Sequence, residues 1–271
     1  MFNSHLLKFM ILPSLLSLSF CANTEETGDV AKQFTHAINF INNQLGTIES
    51  VQTPPPLSDP KTRASYNAVS ETMEKFGSAS FPVTGLDSMD GVCGPINEAM
   101  VKHSFIGTTV LKNQNLAPAQ LQQKISRMMT DNVLAYQDEL MVLSAAHIHC
   151  SAAHIPEMSK FIESLPPSEF TDIRKDGLRK MGRGMINMLF GLATYAADPA
   201  MSAANKNQAM AIAIKYAPEL IVMTSLADRK SALSKFDAAK PYVPKPYLDR
   251  FIIVRDIFTD QSCANLCMSQ D

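Results

Sequence analysis

His147-Ile148-His149-Cys150-Ser151-Ala152-Ala153-His154 gathers three of the six histidines and one of the five cysteines into eight residues. Imidazole nitrogen and thiolate sulfur are the usual ligands of zinc and copper, so the stretch is a candidate metal site. His147, Cys150 and His154 stand at i, i+3 and i+7 and share one face of a helix. His147 and His154 are then about 10.5 Å apart along the axis, whereas two imidazoles on one ion favour i, i+4 spacing. Cys150 pairs locally with either histidine, and further ligands such as His103 or His36 would come from other helices. The same residues also extend the apolar stripe of Tyr136, Leu140 and Leu143, which gives them a packing role without an ion. A weak internal match aligns His154-Ile155-Pro156-Glu157-Met158 with Tyr216-Ala217-Pro218-Glu219-Leu220. It sets His154 against Tyr216 and favours packing. No cofactor is therefore expected, with zinc or copper on His147, Cys150 and His154 as the alternative.

Two further groups sit on one helical stretch. Lys175, Arg179 and Arg183, at i, i+4 and i+8, form a basic stripe suited to an anion, a lipid headgroup or a partner surface. Asp172 and Asp176 interrupt it and can neutralise it locally. Gly177, Gly184 and Gly191 recur every seven residues, drifting only about 20° per step. Each costs roughly 1 kcal/mol in a helix relative to Ala, so their spacing suggests the close approach of another helix. Met181, Met185 and Met188 beside them offer an adaptable apolar surface.

The elements that must position these groups read as helices. Apolar periodicity predicts a helix over 29–45, followed by a stiff linker with Pro54, Pro55, Pro56 and Pro60. A short helix over 62–76 and a loop over 77–91 come next. Pro95 opens a helix to 112 and Pro118 a long one to 153. Pro156 starts another segment, closed by Pro166-Pro167. Ser168 or Thr171 caps a helix reaching 197. Helices over 203–216, 218–236 and 246–259 complete an all-α multi-helix bundle of antiparallel hairpins.

The N-terminus has the layout of a secretory signal: a single basic residue, Lys8, an apolar run over 9–20 and a polar exit. The run falls short of the roughly 20 residues of a membrane span. Residues 1–22 are read as a cleaved signal peptide, 23–60 as a short N-terminal helix with its proline-rich linker, and 61–271 as the bundle domain. Leu18-Ser19-Phe20-Cys21 also resembles a lipobox, apart from the bulky Phe20, which makes Cys21 a candidate lipid anchor. The expected location is the periplasm or outer-membrane periphery in a bacterium, or secretion otherwise, with no transmembrane span in the mature chain.

Cys93, Cys150, Cys263 and Cys267 remain in the exported chain as disulfide candidates. If 95–112 and a continuous 118–153 helix form a hairpin, Cys93 lies level with Gln137. Cys150 is then roughly 20 Å further on, beyond the about 7 Å that a disulfide spans. Two bonds stapling the C-terminal tail to the bundle are therefore preferred. A local Cys263–Cys267 link with Cys93–Cys150 is the competitor, and it requires a broken or bent helix.

Composition bounds the rest. The 271 residues carry 24 basic and 26 acidic side chains, net −2, which excludes a general nucleic-acid coat. Eleven glycines and 46% hydrophobic residues argue against loop-rich or disordered chains. No P-loop, Rossmann glycine pattern, Gly-x-Ser-x-Gly or HExxH motif occurs. The expected function is an exported, non-enzymatic protein binding a partner protein or an apolar ligand. The alternative is a metal-binding protein or metalloenzyme.

Overall fold

The computed structural model describes residues 29–114, 116–263 and 266–267. The expected signal segment and the lipid anchor at Cys21 lie outside the described residues. The fold is all-α, with two-residue strands β1 (Gly46–Thr47) and β2 (Ser50–Val51) as a minor antiparallel pair. The helices are α1 (Asp29–Leu45), α2 (Pro60–Met73), α3 (Gly94–Phe105), α4 (Pro118–Ala135), α5 (Gln137–Ser164), α6 (Asp172–Tyr195), α7 (Ala203–Leu220), α8 (Leu226–Ala239) and α9 (Lys245–Ile257). Among the described residues, no helix is long and apolar enough to cross a membrane. The chain divides into two compact units between Cys150 and Ser151, inside α5.

In the first unit, α1 buries Phe34, Ile38, Ile41 and Leu45 and packs on α2 and α3. Asp59 caps α2, its carboxylate accepting from the Thr62 amide at 2.8 Å, and Pro60 occupies the first turn, where its missing N–H costs nothing. Phe81 packs against Phe34 and Phe76, with ring centroids 5.6 and 4.9 Å away. Lys102 is buried between α1 and α3, donating to the Asn42 carbonyl at 3.2 Å and paired with Glu98 at 2.7 Å.

The helix opened by Pro95 ends at Phe105, short of 112. Gly107 follows with φ +75°, a conformation that only glycine adopts without strain. Asn132 of α4 then donates to the Ser104 and Ile106 carbonyls at 3.0 and 2.9 Å, which takes up acceptors freed at the end of α3.

The long helix expected over 118–153 is two helices. It breaks at Tyr136, whose backbone (φ −114°, ψ 33°) leaves the helical region between α4 and α5. Conversely, Pro156 and Pro218, expected to start helices, lie inside α5 and α7. Each proline removes one i→i−4 hydrogen bond, yet α5 continues for two more turns and α7 for two more residues.

In the second unit, Thr171, Ser202 and Ser225 cap α6, α7 and α8 with their hydroxyl oxygens. Phe236 is the hub of this core, with Phe190, Phe251 and Phe258 rings 5.1, 5.3 and 5.3 Å away. These rings join α6, α8 and α9, and α7 packs on α6 and α9.

Candidate functional site

Cys93 is bonded to Cys150 (S–S 2.00 Å) and Cys263 to Cys267 (S–S 1.98 Å). The preferred tail-to-bundle staples are therefore incorrect, and the competing arrangement is the one formed. The expected hairpin required unbroken helices over 95–112 and 118–153, whereas α3 ends at Phe105 and the second helix breaks at Tyr136. The Cα atoms of Cys93 and Cys150 lie 5.7 Å apart, the ordinary distance for a disulfide.

His154 follows Cys150 by one turn of uninterrupted α5, so the helix alone sets it beside the disulfide. Ligand atoms of Cys93, Cys150 and His154 all lie within 4.8 Å of one another, and the three residues are buried. His147 does not belong to this group, and Cys93 takes the place expected for it. The Nδ1 of His147 is buried with no hydrogen-bond partner among the described residues, and burial lowers its pKa to about 4. Two turns of helix between His147 and His154 account for the separation.

A second polar cluster, in the first unit, escaped the sequence reading. His103 is wholly buried, its Nδ1 2.8 Å from the Ala99 carbonyl and its Nε2 3.0 Å from the Tyr66 hydroxyl. The carbonyl can only accept, so Nδ1 carries the proton and Nε2 accepts from Tyr66. The Tyr136 ring stands edge-on to His103 at 5.5 Å. Burial raises the pKa values of Tyr66, Tyr136 and Glu139, and the Glu139 charge raises both phenols further. His103 is therefore held as a neutral imidazole between the Ala99 carbonyl and the Tyr66 hydroxyl. The lone signal in sequence was His103 itself.

Burial also lowers the His103 pKa to about 4, against the opposing effect of its bond to Ala99. The unfolded chain therefore takes up this proton first as pH falls. The His103 contribution is intact above the unfolded value of about 6.5 and is lost as pH falls through that value towards about 4. The expected loss between pH 7 and 4.5 is about 2–3 kcal/mol from His103. His147 acts in the same direction. Glu139, whose pKa is raised, opposes them, because its folded form takes up a proton first. Urea unfolding at the two pH values checks this, and His103→Gln should flatten the profile.

The basic stripe on α6 is largely engaged within the second unit. Arg183 pairs with Asp228 at 2.9 Å, and Asp176 pairs with Lys180 at 2.7 Å. Lys175 lies 5.9 Å over the Phe170 ring, while Arg179 is half-buried.

The glycines behave differently from their heptad. A Cβ added at Gly177 or Gly191 would meet nothing within 4 Å among the described residues, and Gly184 is half-buried on the same helix. The close approach falls at Gly182, about 200° round the helix from Gly184 at 100° per residue. There a Cβ would stand 2.5 Å from the Met223 carbonyl oxygen, which is backbone and cannot rotate away. Gly182→Ala is expected to cost about 1–3 kcal/mol by overpacking. Gly191→Ala should stabilise by up to about 1 kcal/mol through helix propensity. Thermal melts of the two variants should move in opposite directions.

Arg229 on α8 is a further missed residue. It is 1% exposed, yet its guanidinium makes four hydrogen bonds. They run to Thr224 Oγ1 (3.0 Å) and the carbonyls of Ile221 (3.0 Å), Asp260 (2.9 Å) and Ser262 (2.7 Å). Burial lowers its pKa. Arg229 thereby ties Asp260 and Ser262 of the C-terminal segment to α8.

No protein-family model, curated protein or solved structure matches the chain.

Proposed function

We propose that the chain is an exported helical protein that acts by binding a partner protein or an apolar ligand, and not by catalysis. The observation that carries the export is the pairing of Cys93 with Cys150 and Cys263 with Cys267, since disulfides persist in oxidising compartments. The signal-like segment over 1–22 agrees with it. Binding is supported by apolar side chains held in the open, with Ile173 85% and Phe161 42% exposed. Lys175 and Arg179 share α6 with Ile173, as do the half-buried Met181, Met185 and Met188. On this proposal the helices act as antiparallel hairpins presenting that surface.

The test expresses the full chain from its first residue with a photo-crosslinking side chain at Ile173. The expected product is a processed chain without free thiols that forms a light-dependent adduct. Replacing Lys175 and Arg179 with Glu should reduce that adduct. An unprocessed chain with reduced cysteines would overturn the export, and the absence of any adduct would overturn the binding role.

A further inference from the structure

We propose that Cys93, Cys150 and His154 become a metal site for a soft d10 cation, zinc(II) or copper(I), when the Cys93–Cys150 disulfide is reduced. This goes beyond the binding role and does not depend on it. Two local constraints assemble the donors. The disulfide fixes Cys93 to Cys150, and α5 places His154 four residues after Cys150, the spacing at which a helix offers two ligands to one ion. All donor atoms lie within 4.8 Å of one another, and Cys93, Cys150 and His154 are 5%, 0% and 0% exposed.

The distances suit such an ion. Metal–sulfur bonds of about 2.3 Å hold two thiolates about 4 Å apart. The two sulfurs must therefore move apart from bonding distance once the disulfide is reduced. Side-chain torsions can supply that while the Cα atoms stay near 5.7 Å. Two thiolates and an imidazole are soft donors that favour zinc or copper(I) over calcium or magnesium. Zinc(II) balances the two thiolate charges but calls for a fourth donor, whereas copper(I) is satisfied by three donors and leaves one negative charge.

The chemistry balances with a dithiol as reductant. It delivers two electrons and two protons, the Cys93–Cys150 bond breaks to two thiols, and the dithiol becomes a disulfide. Metal binding then releases both thiol protons to solvent, while the His154 imidazole contributes a lone pair. The cation keeps its oxidation state.

The experiment reduces the purified exported protein anaerobically with dithiothreitol and desalts it. One equivalent of zinc(II) or copper(I) is added in separate arms, and retained metal is measured by elemental analysis beside the ultraviolet thiolate-to-metal absorption. Reduced protein is expected to retain one ion per chain in at least one arm, and oxidised protein none. His154→Gln, which can be purified folded with its disulfide intact before reduction, should bind at least about tenfold more weakly. Cys263→Ser/Cys267→Ser should bind as well as the unaltered chain. Retention no greater after reduction than before would overturn the proposal. So would unchanged affinity in His154→Gln, or loss of the ion with the tail cysteines alone.

Discussion

Arg229→Met is expected to lower the unfolding free energy by about 3–5 kcal/mol, because the charge-assisted hydrogen bonds of a buried guanidinium are lost together. The methionine fills much of the same volume but removes all four hydrogen bonds of the guanidinium. Carbonyls of Ile221, Asp260 and Ser262 then lose a charged donor, and bonds to charged groups contribute about 1.5–3 kcal/mol each, without simple additivity. The consequence is local as well as global. Asp260 and Ser262 lead directly into the Cys263–Cys267 loop, whose Leu266 and Cys267 are 2% and 1% exposed. The variant should therefore show early protease cleavage and fast amide exchange after residue 258. Arg229→Lys should recover only part of the loss, because one ammonium cannot span a hydroxyl and three carbonyls in the planar fork that arginine supplies. An unchanged melting temperature in Arg229→Met would contradict this role.

The second large effect is expected from Cys93→Ala/Cys150→Ala. The Cys93–Cys150 bond closes a loop of 57 residues in sequence separation, for which loss of the crosslink costs about 4 kcal/mol on the chain-entropy account. The Cys263–Cys267 bond has a sequence separation of 4, and its removal should cost only about 2 kcal/mol on the same account. Denaturant titrations of the two double variants under oxidising conditions give the comparison directly. Equal losses would show that loop length does not govern the contribution of these bonds.

The helical framework was legible where local periodicity governs it. The 3.6-residue spacing of Phe34, Ile38, Ile41 and Leu45 marks α1 to its observed ends, and Pro95 and Pro118, expected to open helices, each sit in the first turn of one, while Pro60, expected in the linker, opens α2. Proline misled at Pro156 and Pro218, because surrounding packing can carry a helix past one missing hydrogen bond. The break at Tyr136 had no signal, since Ala135-Tyr136-Gln137 contains neither glycine nor proline. That unseen break, with the early end of α3, removes the continuous hairpin on which the preferred disulfide pairing rested. It also kept Cys93 out of the group expected around Cys150 and His154. Gly182 was passed over for a heptad whose members Gly177 and Gly191 face open space among the described residues. What marks it out is a carbonyl 41 residues away, at Met223, which no local pattern encodes. Arg229 was invisible for the same reason: its partners at 221, 224, 260 and 262 meet only in the folded chain.

The pairing of Cys93 with Cys150 joins the helix break, the stability and the metal site in one connectivity. Non-reducing peptide mapping of the purified full chain by mass spectrometry tests it most directly. The predicted result is a crosslinked pair of peptides containing Cys93 and Cys150, with Cys263 and Cys267 closed within one peptide and no free thiol among the four. A peptide linking Cys93 or Cys150 to either tail cysteine would contradict the account.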